Sequence, residues 1–291
     1  MNKTIHKIYI GFFIIIGISL TTFLLIDGFS YYTTSVEERF FHSDHKLLKP
    51  SGVVGHGLGI IGSFMMIAGV GIYMLKKRKP RLIQFGYLKH WLELHIFLCT
   101  VGPMLILYHT AFKFGGIVSI SFWSMTAVVL SGVIGRFIYI QIPRSIQGNE
   151  LEIEEINSIS NNLTAKLKSE FGINGKFSRQ LESISFAHEY KEASLSRSVV
   201  LVFQDYFRSL ALLKKLYKEI DATDLSKRKA AQAKRLIKNK VVLSRRIGML
   251  RTMHKLFKYW HIIHLPFAIV MFVIMFIHII VTILFGYKWI F

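Results

Sequence analysis

Five stretches of this chain carry apolar residues in unbroken runs long enough to cross a bilayer: residues 8–26, 53–75, 91–112, 119–142 and 261–287. About 20 consecutive apolar residues in helix match the hydrocarbon thickness of a membrane. Between the fourth and fifth runs the pattern changes. There the apolar positions recur three and four apart, as in Ile156, Ile159, Leu163 and Leu167, and again in Val199, Val202, Tyr206, Leu210 and Leu213, which is the period of a half-buried helix. Residues 143–259 are therefore expected to form an antiparallel helical hairpin or small bundle. Breaks are expected near 171–176, where Gly172 and Gly175 fall, and near 221–224, between Asp221 and Asp224. From Leu225 the helical pattern runs on with no proline and only Gly248 before the last span, so one helix is expected to enter that span directly. The predicted fold is an all-α integral membrane protein: four transmembrane helices in 1–142, a helical insertion at 143–259, and a fifth transmembrane helix in 260–291.

Charge fixes the expected direction of these helices. The segment after the second span holds Lys76, Lys77, Arg78, Lys79, Arg81 and Lys89 without an acid, whereas that after the first mixes Arg39, Lys46 and Lys49 with Glu37, Glu38 and Asp44. Residues 143–259 hold 23 Lys and Arg against 12 Asp and Glu. Because short cytoplasmic segments collect Lys and Arg, the N-terminus is predicted inside and the C-terminus outside a cell (inner) membrane. The net charge of +20, with 52% hydrophobic residues and a mean hydropathy of +0.42, is then a consequence of topology, and a nucleic-acid partner is not expected. The run at 8–26 is read as a retained anchor, with a cleaved signal as the alternative. Trp91 and Trp260 mark predicted inner ends, and Tyr31, Tyr32, Trp123 and Trp289 predicted outer ends.

The candidate chemistry lies in histidines. Cys99 is the single cysteine, which excludes an internal disulfide, a CxxCH haem attachment and a cysteine-held iron–sulfur cluster within this sequence. Ionisable side chains inside a span are costly and ask for a function. His95 and His109 stand 14 residues apart in the third span, and His264 and His278 stand 14 apart in the fifth. Fourteen helical steps fall about 40° short of four turns, so each pair shares a face, about 21 Å apart along the axis. His95 and His264 each lie four residues past a tryptophan, Trp91 and Trp260, which puts the two pairs at matching depths. Two levels of facing imidazoles are the axial ligation of two low-spin b-type haems, so the core of the spans is expected to be haem-binding, with iron held by His95, His109, His264 and His278.

Other residues extend this expectation. His56 lies at the depth of His109 and His278, fitting a replacement ligand, a propionate contact or a quinone headgroup, and His261 is an alternative to His264 with poorer face alignment. Arg136 is a candidate for an inner propionate, or else a snorkelling interfacial arginine. Small residues, Gly52, Gly55, Gly57, Gly59 and Gly62 in the second span and Ser131, Gly132 and Gly135 in the fourth, admit a porphyrin edge or simply a closely packed helix. Pro103 and Pro266 are expected to bend their helices.

With His95/His109 on one span and His264/His278 two spans later, residues of the second to fifth spans resemble the transmembrane domain of ferric reductases and NADPH oxidases. The segment from Trp260 to Pro266 followed by His278 is also similar to the last helix of bacterial membrane b cytochromes of quinol-linked complexes. The resemblance implies two haems between the equivalent helices, carrying electrons from a cytoplasmic donor to an acceptor outside. The sequence departs from the reductases in having no GxGxxG after a strand pattern, so its electrons are expected from a quinone pool or a redox partner protein, as an electron-transfer subunit of a larger complex. An acidic partner would be attracted to the basic insertion, which also suits anionic lipid headgroups. Two other classes remain: a haem-free, histidine-lined proton or metal transporter, and a membrane-anchored interaction or sensor protein.

Overall fold

A computed structural model of the chain describes residues 3–79, 81, 83, 86–143, 152–172, 194–223 and 225–285. Among them the secondary structure is helical throughout, with no strand. The longer helices are α1 (Lys3–Asp27), α4 (Val53–Arg78), α5 (Leu88–His109), α6 (Val118–Gln141), α7 (Ile153–Phe171), α8 (Leu195–Asp221) and α9 (Lys227–Leu284); α2 (Phe29–Thr33), a 3-10 turn (Glu38–Phe41) and α3 (His45–Leu48) lie between α1 and α4. Five helices are long and apolar enough to cross a membrane, α1, α4, α5, α6 and α9. The expected Trp289, the end of the fifth run at 287, and the Gly175 and Asp224 breaks lie outside the described residues. Gly172, at φ 62°, does end α7 as a left-handed C-cap.

The chain divides into two compact units, residues 1–133 with 262–291, and residues 134–261. In the first, α4 and α5 run antiparallel at a distance only glycine permits. A Cβ on Gly62 would lie 2.8 Å from the Gly102 carbonyl oxygen, and one on Gly102 would lie 2.9 Å from that of Gly62. Two turns further along, a Cβ on Gly69 would press on Leu98 Cβ at 2.9 Å and Cys99 Sγ at 3.0 Å. Close helix contact through small residues, rather than bulk hydrophobic burial, is how helices associate where the surroundings are themselves apolar. Leu24 of α1 and Leu58 join Val101, Leu105 and Tyr108 in one apolar cluster. A second cluster joins Met66 of α4, Met125 of α6, and Met271 and Met275 of α9, where flexible thioethers fill an irregular interior. The Ser121 hydroxyl donates to the Met271 carbonyl at 3.0 Å, tying α6 to α9 within the same unit.

In the second unit, α7, α8 and the first part of α9 pack around Leu167, Leu213, Leu216, Ile220, Ile237 and Val241, and around Ile156, Leu201, Val202, Met249 and Met253. The buried face of α8 is rotated from the one its apolar spacing predicts. Val202 and Leu213 are buried as the spacing predicts, but Val199, Tyr206 and Leu210 are exposed, and Ser198, Asp205 and Ser209 are buried. The reason lies on α9, which buries cations: Arg245 reaches the Ser209 hydroxyl of α8 and stacks over the Tyr206 ring, while Lys240 donates to the Ser160 hydroxyl of α7 at 2.7 Å. Buried cations require polar partners, which outweighs the apolar pattern along that stripe.

Candidate functional site

The α4–α5 crossing sets the positions of two of the four span histidines. Gly62 meets Gly102 at its centre. Seven residues to one side, His109 Nδ1 lies 2.8 Å from the Gly55 carbonyl oxygen; seven to the other, His95 Nδ1 lies 3.1 Å from that of Gly69. The 14-residue histidine spacing on α5 is thus matched by a 14-residue glycine spacing on α4. A carbonyl only accepts, so each Nδ1 carries the proton and donates it, and each Nε2 keeps its lone pair. Glycine matters here for space as well: a Cβ on Gly59 would stand 2.8 Å from His109 Nδ1. The Cys99 thiol sulfur is 3.5 Å from His95 Nδ1, and the Tyr73 ring lies beside the imidazole with centroids 5.2 Å apart.

His264 reaches the same protonation state by another route. Its Nδ1 is 2.7 Å from Ser131 Oγ, and that hydroxyl donates its own proton to the Val128 carbonyl at 2.9 Å. With its own hydrogen donated to Val128, the hydroxyl is placed to accept from His264 Nδ1. A backbone or hydroxyl acceptor on one ring nitrogen is the arrangement that fixes the tautomer and orientation of a metal-ligating imidazole.

At the other level three imidazoles gather. The His109 ring centroid lies 6.5 Å from that of His278, at 57° between planes, and 6.4 Å from that of His56, at 64°. Two imidazoles bound by Nε2 to one iron at about 2.0 Å place their ring centres about 6.3 Å apart, so the observed spacing fits a shared iron. His109 is the last residue of α5, and the end of that helix is clasped by residues 28–48. The buried Arg39 guanidinium donates from Nε to the Thr34 carbonyl at 2.9 Å, from Nη2 to the Tyr32 carbonyl at 2.7 Å, and from Nη1 to the Ala111 carbonyl. Ala111 and Phe112 both have positive φ, 48° and 58°, a conformation uncommon outside glycine. This sharp turn ends the third helix three residues before the predicted 112.

The remaining sequence candidates are placed as follows. His261 Nδ1 donates to the Phe257 carbonyl at 3.1 Å on its own helix, with its ring edge-on to Phe257 and Trp260. Arg136 lies over the ring of Tyr139, 5.6 Å from its centroid. Gly135 accommodates the Trp260 indole, and Gly132 has open space where a side chain would go. Tyr31, expected as an interfacial anchor, is fully buried against His45 and Arg39. Sequence reasoning missed Gly69 and Arg39 as contributors, and it read Ser131 only as a small residue.

These features define a class: among the described residues, a strand-free helical protein with five membrane-length apolar helices that carry histidines whose Nδ1 is tied to a backbone carbonyl or a hydroxyl. No protein-family model, no curated protein and no solved structure matches the chain.

Proposed function

We propose that the chain is a di-haem b-type membrane cytochrome, with one haem held by His109 and His278 and the other by His95 and His264. The observation that carries the reading is the His109–His278 ring spacing of 6.5 Å between α5 and α9, beside an α4–α5 pair whose glycine and histidine spacings coincide. Iron held by two imidazoles supplies a one-electron couple with no free axial position, which is the chemistry of electron transfer and not of oxygen binding. The residues of this chain then do three things. Gly55, Gly69 and Ser131 accept from Nδ1 and so favour Nε2 as the ligand atom, Gly59 keeps the His109 ring uncrowded, and Arg39 fixes the helix end that carries His109.

With the basic segments 76–89 and 143–259 on the cytoplasmic side, the protein passes electrons between a quinol or an acidic cytoplasmic redox partner and an acceptor on the opposite face. In this it resembles the transmembrane domains of ferric reductases and NADPH oxidases and the b cytochromes of quinol-linked complexes. Purified full-length chain in detergent tests the reading. A reduced-minus-oxidised spectrum with split b-type bands and two extractable haems per chain is expected. A colourless preparation that takes up no added haem would sink it and leave the histidine-lined transporter.

A further inference from the structure

A second cluster of metal-ligating side chains lies where α1 meets the first turn of α5, outside the histidine levels described above. His6 of α1 and His90 and Glu93 of α5 each bring one ligand atom to within 4.8 Å of the other two. His6 Nε2 is 3.5 Å from Glu93 Oε1, and His90 Nδ1 is 3.1 Å from Glu93 Oε2, so the two imidazoles flank one carboxylate. Their ring centroids are 5.2 Å apart. The group is sheltered: side-chain exposure is 12% for Glu93, 16% for His90 and 34% for His6.

The nitrogens that face the Glu93 carboxylate, His6 Nε2 and His90 Nδ1, are the candidate ligand atoms. The opposite ring nitrogens, His6 Nδ1 and His90 Nε2, are buried with no hydrogen-bond partner, so no second acceptor draws either ring away from the carboxylate. The backbone holds the parts in place, since Tyr9, one turn along α1 from His6, donates its hydroxyl to the His90 carbonyl at 3.4 Å. None of the three residues takes part in the α4–α5 register, and nothing in the haem reading accounts for two imidazoles converging on a carboxylate at this helix end.

We infer that His6, His90 and Glu93 form a binding site for a divalent first-row transition ion, Zn2+ or Fe2+, at the end of α1 and α5 nearest the basic 76–89 segment. Two imidazoles and one carboxylate suit borderline ions of this kind better than Ca2+ or Mg2+, which prefer all-oxygen cages. Ligand atoms around a four-coordinate zinc stand about 3.3 Å apart; the two imidazole nitrogens meet different oxygens of the Glu93 carboxylate, at 3.5 and 3.1 Å, and one ligand atom from each of the three residues lies within 4.8 Å of the others, so side-chain rotation is what brings them onto one ion. Three protein ligands leave a coordination position open, and the partial exposure of His6 gives water or a small anion access to it.

The test uses full-length protein in detergent, stripped with chelator and dialysed against Zn2+, with metal and haem content measured on the same sample. Wild-type protein should bind one Zn2+ per chain that is lost, or weakened at least tenfold, in His90→Ala and in Glu93→Gln, while haem content stays as in wild type. Glu93→Gln keeps an acceptor for His90 and guards against a fold defect, and His42→Ala, at the other end of the first unit's helices, should bind Zn2+ normally. X-ray absorption at the zinc edge should show two imidazole nitrogens in the shell. Wild-type protein that binds no Zn2+ at micromolar concentration, or Glu93→Gln that binds it as tightly as wild type, would overturn the inference and leave the triad an ion-paired helix staple. Because haem is read on the same sample, this outcome is independent of the cytochrome reading.

Discussion

Gly55 accepts a hydrogen bond from His109 Nδ1 through its backbone carbonyl, at 2.8 Å, and Gly69 repeats the contact with His95 fourteen residues along α4. The repeat is a property of two antiparallel helices in fixed register, so any side chain that pushes α4 from α5 disturbs both imidazoles at once. Gly62, at the crossing, is such a site, whereas Gly59 faces the His109 ring alone.

Gly59 allows this to be tested. A Cβ there would lie 2.8 to 2.9 Å from three atoms of the His109 ring, so Gly59→Ala must displace that ring. The expected result is loss of one of two haems, read by pyridine extraction, with the helical circular dichroism unchanged. Gly71→Ala on the same helix meets nothing within 4 Å; it should keep both haems and gain up to about 1 kcal/mol of stability from helix propensity. Equal haem loss in both variants would mean that space beside His109 is not what matters.

Ser131 is the corresponding support for His264. Ser131→Ala removes the hydroxyl that lies 2.7 Å from His264 Nδ1, and outer-shell losses of this kind typically weaken metal binding about 10- to 100-fold. Haem at that level should wash out on dilution or shift its midpoint potential, while Gly132→Ala, one residue on and with open space around it, should do neither. If Ser131→Ala retains both haems with unaltered potentials, the hydroxyl has no bearing on ligation.

The sequence carried the histidine pattern because side chains of that cost inside an apolar run stand out. It carried the five apolar helices for the same reason, and the unbroken pattern after Leu225 appears as the single helix Lys227–Leu284. What it could not carry were the groups that orient the rings, because Gly55 and Gly69 act through backbone carbonyls, which every residue possesses. The stripe of glycines signalled close approach but not its object. On α8 the apolar period misled in part, since Ser209 is buried against Arg245 from α9, and no single-helix pattern reveals what a neighbouring helix brings.

Arg39 was legible only as one charge in a mixed loop, yet it is 4% exposed and donates to three backbone carbonyls. Arg39→Ala would strand those carbonyls under the loop and should cost about 2–4 kcal/mol. Arg39→Lys retains the charge but not the planar fork of donors, and should recover less than half of the loss. Thermal unfolding followed by circular dichroism measures both, and a shift of under about 1 °C in Arg39→Ala would show that the clasp does not hold the end of α5.

His109 has two imidazole neighbours at nearly equal distance, His278 of α9 at 6.5 Å and His56 of α4 at 6.4 Å between ring centroids, with its Nδ1 on the Gly55 carbonyl of α4. The cytochrome reading takes the α9 histidine as the second ligand. His278→Ala should therefore remove one haem per chain, with the low-spin bis-imidazole signal of that site lost from electron paramagnetic resonance. His56→Ala should keep two haems and alter at most the potential of one. The reverse pattern, one haem lost in His56→Ala and both retained in His278→Ala, would move the ligand to α4.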